Sequence, residues 1–350
     1  MDFYIISPLI PALLCMEKFY GISNVPPSTE RYETMSVSSS NSLFSSVLLC
    51  ILLKNSSQPI GTTHDVSLLN FQTNPESAEL VEVLRRASMA DRTIILTIVE
   101  EAWTGTGSVL DLFLESFRIG QETKWLLNHL IIVTVGRQAF QYCKSLHPHC
   151  FQLTPIGVSK PPTGEQLHKH SRDRHDLLHK VLQLGYNLVF TVVDVKWFRN
   201  PIPHFNPQDE VTIPCGLELK YGSNKQDRGL FYVKSNDISV EFFNYLKLVG
   251  VLYPDTPFES LCEIATEQEI MEMHGMRIKF LDNAYFGGFC QPLQNNSEVY
   301  TMQANCCEKT ESKVHDLKLV LDDWNNFTGQ SSNNSLGTLS SWRAPDKCIQ

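Results

Sequence analysis

Apolar and polar residues alternate along this chain in two rhythms, and the alternation begins near residue 75. Residues 76–87 carry apolar positions at helical spacing, behind Asn74 as a cap and Pro75 as a first-turn residue. Residues 93–99 form a near-continuous β-branched run, which predicts a buried strand. The rhythms repeat as a helix over 108–119, a strand over 129–135 and a helix over 137–146. A further helix around 172–184 leads into a strand over 186–193. Within 108–119, Leu110, Phe113, Leu114 and Phe117 share one face, which predicts core rather than a binding surface. Such alternation predicts βαβ units and a mostly parallel sheet flanked by helices, hence an α/β fold. Beyond Pro201 the pattern is less regular, with Gly222, Gly229, Gly287 and Gly288 marking turns or close backbone approaches. An amphipathic helix over 314–324, carrying Leu317, Val320, Leu321 and Trp324, closes the ordered part.

These rhythms divide the chain into a leader and Ser-rich linker over 1–75, one domain over 76–328, and a flexible tail over 329–350. The apolar runs at 3–15 and 43–53 are candidate anchors, but each falls short of the ~20 residues that span a bilayer. At 350 residues and 42% hydrophobic content the chain buries a large core. A net charge of -9 with no basic block excludes nucleic acid as a partner. The ten cysteines form no paired Cys-x-x-Cys zinc pattern, and the adjacent Cys306 and Cys307 are too close in sequence to bond to each other in ordinary disulfide geometry. Sequons at Asn55, Asn295, Asn326 and Asn333 suit a secretory protein. No Gly-x-Ser-x-Gly elbow supports a serine hydrolase. His147 and His149 flank Pro148, while His168, His170, His175 and His179 lie on or near a charged helix; they read as a solvated face rather than a metal site.

The strand over 186–193 ends at Asp194, the first polar group at its mouth, and leaves through Trp197-Phe-Arg-Asn-Pro201. Two readings stand at this point. Asp194 either starts a turn or faces a ligand at the carboxyl end of an α/β strand.

From about residue 79 to 326 the chain resembles the plant nucleotide-diphospho-sugar transferases related to cell-wall arabinosyl- and xylosyltransferases. The resemblance is carried by ordered segments including 80–97 (LVEVLRRASMADRTIILT), 110–120 (LDLFLESFRIG), 197–201 (WFRNP), 279–292 (KFLDNAYFGGFCQP) and 313–324 (KVHDLKLVLDDW). It implies a GT-A-like Rossmann-type domain that transfers a pentose from a UDP-sugar donor to a cell-wall glycan or glycoprotein, with retention at the anomeric carbon. It also implies a type II Golgi membrane protein with its domain in the lumen. Mn²⁺ or Mg²⁺ would meet the departing diphosphate, held by an Asp-x-Asp and a later His. Donor contacts carried over are Glu101, Trp103, Asp194, Lys196, Arg199 and Lys313. Gly287 and Gly288 would approach the acceptor, and Gln268 and Glu269 stand in the catalytic segment.

The departures from the family pattern are concentrated on the metal. Val192 replaces the first carboxylate of Asp-x-Asp, Gln303 replaces the histidine, and Asp194 alone remains as a ligand. Glu267-Gln268-Glu269 stands where the family has Asp-Gln-Asp, and Phe231 replaces an amide. Lys196, at a position the family fills with an apolar residue, is a candidate substitute for the metal's charge; the bland alternative points it to solvent or pairs it with Asp194. The function from a different class is a non-catalytic homologue that partners an active transferase in a hetero-oligomer.

Overall fold

The predicted alternation opens the fold: α1 (Pro75–Ala87), β1 (Thr93–Glu100), α2 (Val109–Ile119), β2 (Leu130–Val135), α3 (Arg137–Leu146), β3 (Cys150–Leu153), α4 (Glu165–Gln183) and β4 (Asn187–Thr191). There follow β5 (Val195–Trp197), β6 (Val211–Pro214), β7 (Leu230–Val233), α5 (Asp237–Leu252), α6 (Leu261–Ile264), β8 (Ile278–Leu281), β9 (Phe286–Gly288), β10 (Thr301–Gln303) and α7 (Thr310–Ser331). The computed structural model describes residues 75–153, 165–215, 229–252, 261–264, 271–272, 274–290, 298–307, 309–331 and 342–348, all within the unit spanning 71–350.

Seven strands form the main sheet in the order β3-β2-β1-β4-β7-β6-β8. Pairing is parallel from β3 through β4, antiparallel on both sides of β7, and parallel again between β6 and β8. The mostly parallel α/β sheet expected from the sequence is therefore present. Strand order reverses at β1, since β2 and β3 lie on one side and β4 on the other. Such a switch point opens a crevice outside the carboxyl ends of the two central strands, here β1 and β4.

Ser108 caps α2 by accepting the Asp111 amide, and the stripe Leu110, Phe113, Leu114 and Phe117 is buried as predicted. Leu317, Val320, Leu321 and Trp324 of α7 join the same core. Each fully buried side chain of this size contributes roughly 1.5–3 kcal/mol, so this shared core holds α2 and α7 together. A small sheet, ordered β5-β10-β9, lies beside this core, with Gln303 opposite Val195 on one edge and Gly288 on the other. Three-residue strands are too short to show a period, and the sequence did not reveal them.

Three expectations need correction or extension. His147, His175 and His179 are buried at 6%, 7% and 6% exposure, not spread over a solvated face, and His149 is half-buried; the side chains of His168 and His170 lie outside those described. α5 packs against α4, and His147 donates to the Leu130 carbonyl at 2.7 Å. Burial pushes His147 down to about 4. Residues 342–348, read from the sequence as flexible tail, are fastened down. Trp342 packs on Phe198, Arg343 pairs with Asp323, and Asp316 accepts the backbone N–H groups of Asp346, Lys347 and Cys348. Among the described residues the cysteines pair as disulfides Cys143–Cys150, Cys215–Cys262, Cys290–Cys306 and Cys307–Cys348. The adjacent Cys306 and Cys307 thus reach separate partners. Among the described residues no helix is long and apolar enough to cross a membrane; the anchor candidates at 3–15 and 43–53 lie outside the described residues.

Candidate functional site

At the β1 mouth a short 3-10 turn, Glu101–Trp103, leaves the sheet. The Glu101 carboxylate accepts the Gln138 amide at 3.1 Å at the first turn of α3 and lies against Gly136. Gly136 has φ +100, a backbone conformation that favours glycine, and the Glu101 side chain occupies the space where a Cβ would stand. This use of Glu101, a carboxylate at a helix N-terminus, places it on the β2 side of β1. Trp103 is half-buried, and the Lys313 ammonium lies 5.0 Å from its ring centroid.

At the β4 mouth the Val192 N–H donates to the Gly229 carbonyl at 2.7 Å, and Asp194 is 4% exposed. Pairing of β5 with β10 puts Gln303 across from Val195, and the Ala304 N–H donates to the Asp194 carbonyl at 3.1 Å. The Gln303 amide Nε2 therefore comes to 3.5 Å from Asp194 Oδ1. On the other oxygen, Lys313 Nζ donates to Oδ2 at 2.6 Å, with side-chain exposures of 12% and 6%. Gly229, at φ +62, is wedged beside this group: a Cβ there would overlap Val192 and come within 2.8 Å of Gln303 Nε2. Positions 192, 194 and 303, which the resemblance joins as a metal site, do converge.

The remaining sequence candidates are placed differently. Lys196 is fully buried in β5, with its ammonium toward Phe113 of α2. Its ammonium donates to the Val193 carbonyl at 3.1 Å and lies 5.7 Å from the Phe113 ring centroid. It neither reaches solvent nor pairs directly with Asp194, and burial pushes it down to about 7 against the pull of the Asp194 charge. Arg199 braces β10, donating to the Val299 carbonyl at 2.6 Å and lying 4.7 Å from the Trp324 ring centroid. Gly287 and Gly288 are buried in β9 beside Met302 and Gln303. Phe231 stacks on Phe190 across β7 and β4. Gln268 and Glu269 lie outside the described residues. What the sequence reading missed is the direct contact of Asp194 with Lys313, 119 positions apart; the only sequence signal was the spacing of Lys313 after Asn305-Cys306-Cys307.

A hard divalent cation needs several oxygen ligands at about 2.0–2.6 Å. Here Val192 offers none, and both Asp194 oxygens are faced by N–H donors. The residues present do not fit the metal. A second group, His315, Asp316 and Asp346, brings ligand atoms within 4.8 Å of one another. Asp316, however, is occupied by the three backbone N–H groups of the C-terminal segment.

Residues 125–317, more than half of the chain, match the family profile described as nucleotide-diphospho-sugar transferase. Two Arabidopsis thaliana proteins, both described as uncharacterized, are similar along most of their length. One is 30% identical over 285 residues, covering 78% of this chain and 74% of the relative. The other is 31% identical over 270 residues, covering 74% and 79%. Among solved structures, mouse xyloside xylosyltransferase 1 is 10% identical with a TM-score of 0.37, covering 61% of this chain and 98% of that one. The glycosyltransferase GlyE of Streptococcus pneumoniae is 10% identical with a TM-score of 0.39, covering 69% and 64%. The assignment rests on the profile, which agrees with the motifs read along the sequence: the chain belongs to the nucleotide-diphospho-sugar transferase family.

Proposed function

We propose that this protein binds a nucleoside-diphosphate sugar in the crevice outside β1 and β4 and transfers the sugar to a glycan or glycoprotein. The observation that carries this is the Lys313 ammonium seated on Asp194 at the switch point of the sheet. Breaking the glycosidic bond leaves negative charge on the departing diphosphate, and a fixed cation there stabilises that charge more in the transition state than in the ground state. UDP as nucleotide and a pentose such as arabinose or xylose as sugar are what the motifs shared with the plant nucleotide-diphospho-sugar transferases imply. The same motifs support a Golgi setting with a type II anchor. Four disulfides among the described residues and an exposed sequon at Asn326 support a lumenal domain.

One observation favours a second reading. With Val192 and Gln303 in the metal positions and Asp194 held by Lys313, the machinery of an ordinary metal-dependent transferase is incomplete. The second reading is a non-catalytic partner of an active transferase.

Incubation of the full chain with UDP-xylose or UDP-arabinose and cell-wall oligosaccharides separates the two. Acceptor-dependent release of UDP, with a sugar added to the acceptor by mass spectrometry, is the expected result. Donor that binds in saturation-transfer NMR but is never consumed would leave the partner role standing.

A further inference from the structure

We infer that the donor site carries its own cation and binds a nucleoside diphosphate without a divalent metal, the Lys313 ammonium on Asp194 taking the metal's place. This rests on the reading of the crevice as a nucleotide-sugar site. Three elements fix the ammonium: the exit of β4 supplies Asp194, the exit of β1 supplies Trp103, and the first turn of α7 supplies Lys313 itself. The pair is largely withdrawn from water, where a charge-assisted hydrogen bond is strongest.

The surroundings suit an ammonium and oppose a divalent ion. A metal would need the Asp194 lone pairs that face Lys313 Nζ at 2.6 Å and Gln303 Nε2 at 3.5 Å. The space beside Gly229 is filled by the aliphatic side chain of Val192 and by the Gln303 amide. An ammonium donates up to three hydrogen bonds, and Asp194 Oδ2 accepts one of them, so donors remain for phosphate oxygens. Lys196, closer in sequence, is excluded from this role by its complete burial against Phe113.

The arrangement has its own electrostatic signature. A carboxylate holding a divalent ion is positive overall, whereas the Asp194–Lys313 pair is neutral. Attraction for the diphosphate is then short-ranged, carried by N–H contacts, and falls little with added salt.

The test is calorimetric titration of UDP into the full chain, in EDTA and again in Mn²⁺, for the unaltered protein and for Lys313→Arg, Lys313→Gln and Lys313→Ala. The expected result is equal affinity in EDTA and Mn²⁺ to within about threefold, and a loss of roughly tenfold or more in Lys313→Ala. Lys313→Arg should retain most of the affinity, and circular dichroism identifies variants that fold. If Lys313→Ala does not fold, Lys313→Gln reads the same loss of charge at nearly the same length. UDP binding that requires Mn²⁺ and disappears in EDTA would overturn the inference and leave the transferase reading intact. A folded Lys313→Gln or Lys313→Ala that binds UDP as well as the parent would overturn it too. Absence of UDP binding under both conditions would overturn the nucleotide-sugar reading itself.

Discussion

The segment after β4 has two sides, and a lysine belongs to each. On the mouth side Lys313 reaches Asp194 from another helix, 119 positions away, and the pair keeps a narrow opening to solvent. On the core side Lys196, two residues from Asp194, is sealed between β5 and α2 with a backbone carbonyl for its partner. Both carry the same chemical group near the same carboxylate. What separates them is desolvation without a direct counterion in one case and a directly paired charge in the other. Nearness in sequence selects the wrong lysine; the fold selects the other.

The largest effect that would break this comparison comes from Lys313→Ala. It strands Asp194, at 4% exposure, without its counterion, and loss of one partner of a buried pair costs about 3–5 kcal/mol. Thermal melts should show the drop. Asp194→Ala in the same chain should restore a large part of it, giving a clear coupling in a double-mutant cycle. Additive losses would mean that the two side chains do not act as a pair.

Lys196→Met acts in the opposite direction. Replacing a lysine that burial strongly disfavours in its charged form with an apolar side chain of similar length should stabilise the fold by about 2 kcal/mol at neutral pH, measured in urea. UDP affinity should not change, because Lys196 lies on the core side. A loss of UDP affinity would return Lys196 to the site.

The same residue sets a pH signature. Its folded value of about 7 lies below the ordinary 10.5. Between these values the unfolded chain holds a proton that the folded chain does not. Stability from this group therefore rises as pH increases from about 7 to 10.5, and the penalty is complete below 7. Urea midpoints across this range should rise in the parent and flatten in Lys196→Met.

Gln303→His should have the smallest effect. It restores the imidazole of the family pattern but leaves Lys313 on Asp194, so UDP affinity in Mn²⁺ should stay within about twofold of the parent. A large metal-dependent gain would show that Gln303, and not Lys313, is what keeps the metal out.

The parallel half of the fold was legible in the sequence because its signals are local. Ser108 and the Leu110-Phe113-Leu114-Phe117 stripe define α2, and the apolar runs of β1, β2 and β4 are long enough to read by period. The site was legible in part. The family pattern brought Val192, Asp194 and Gln303 into view as one group, and the fold places them together. It gave no sign that Lys196 is turned into the core, since Val195, Lys196 and Trp197 are all buried and a three-residue strand shows no alternation. Nor did it reveal that Glu101 lies at the start of α3, or that Cys307–Cys348 and Asp316 fasten residues 342–348 beside α7. Each of these depends on contacts between segments far apart in the chain, which no local pattern encodes.

An ammonium, and not a divalent ion, sits on Asp194. Electron paramagnetic resonance of Mn²⁺ mixed with the full chain, with and without UDP, tests it most directly. The free aqua-ion signal should be the same with the protein as without it, and with UDP present the protein should add nothing to the change UDP causes alone. Protein-bound Mn²⁺ that strengthens with UDP and disappears in Asp194→Asn would contradict it.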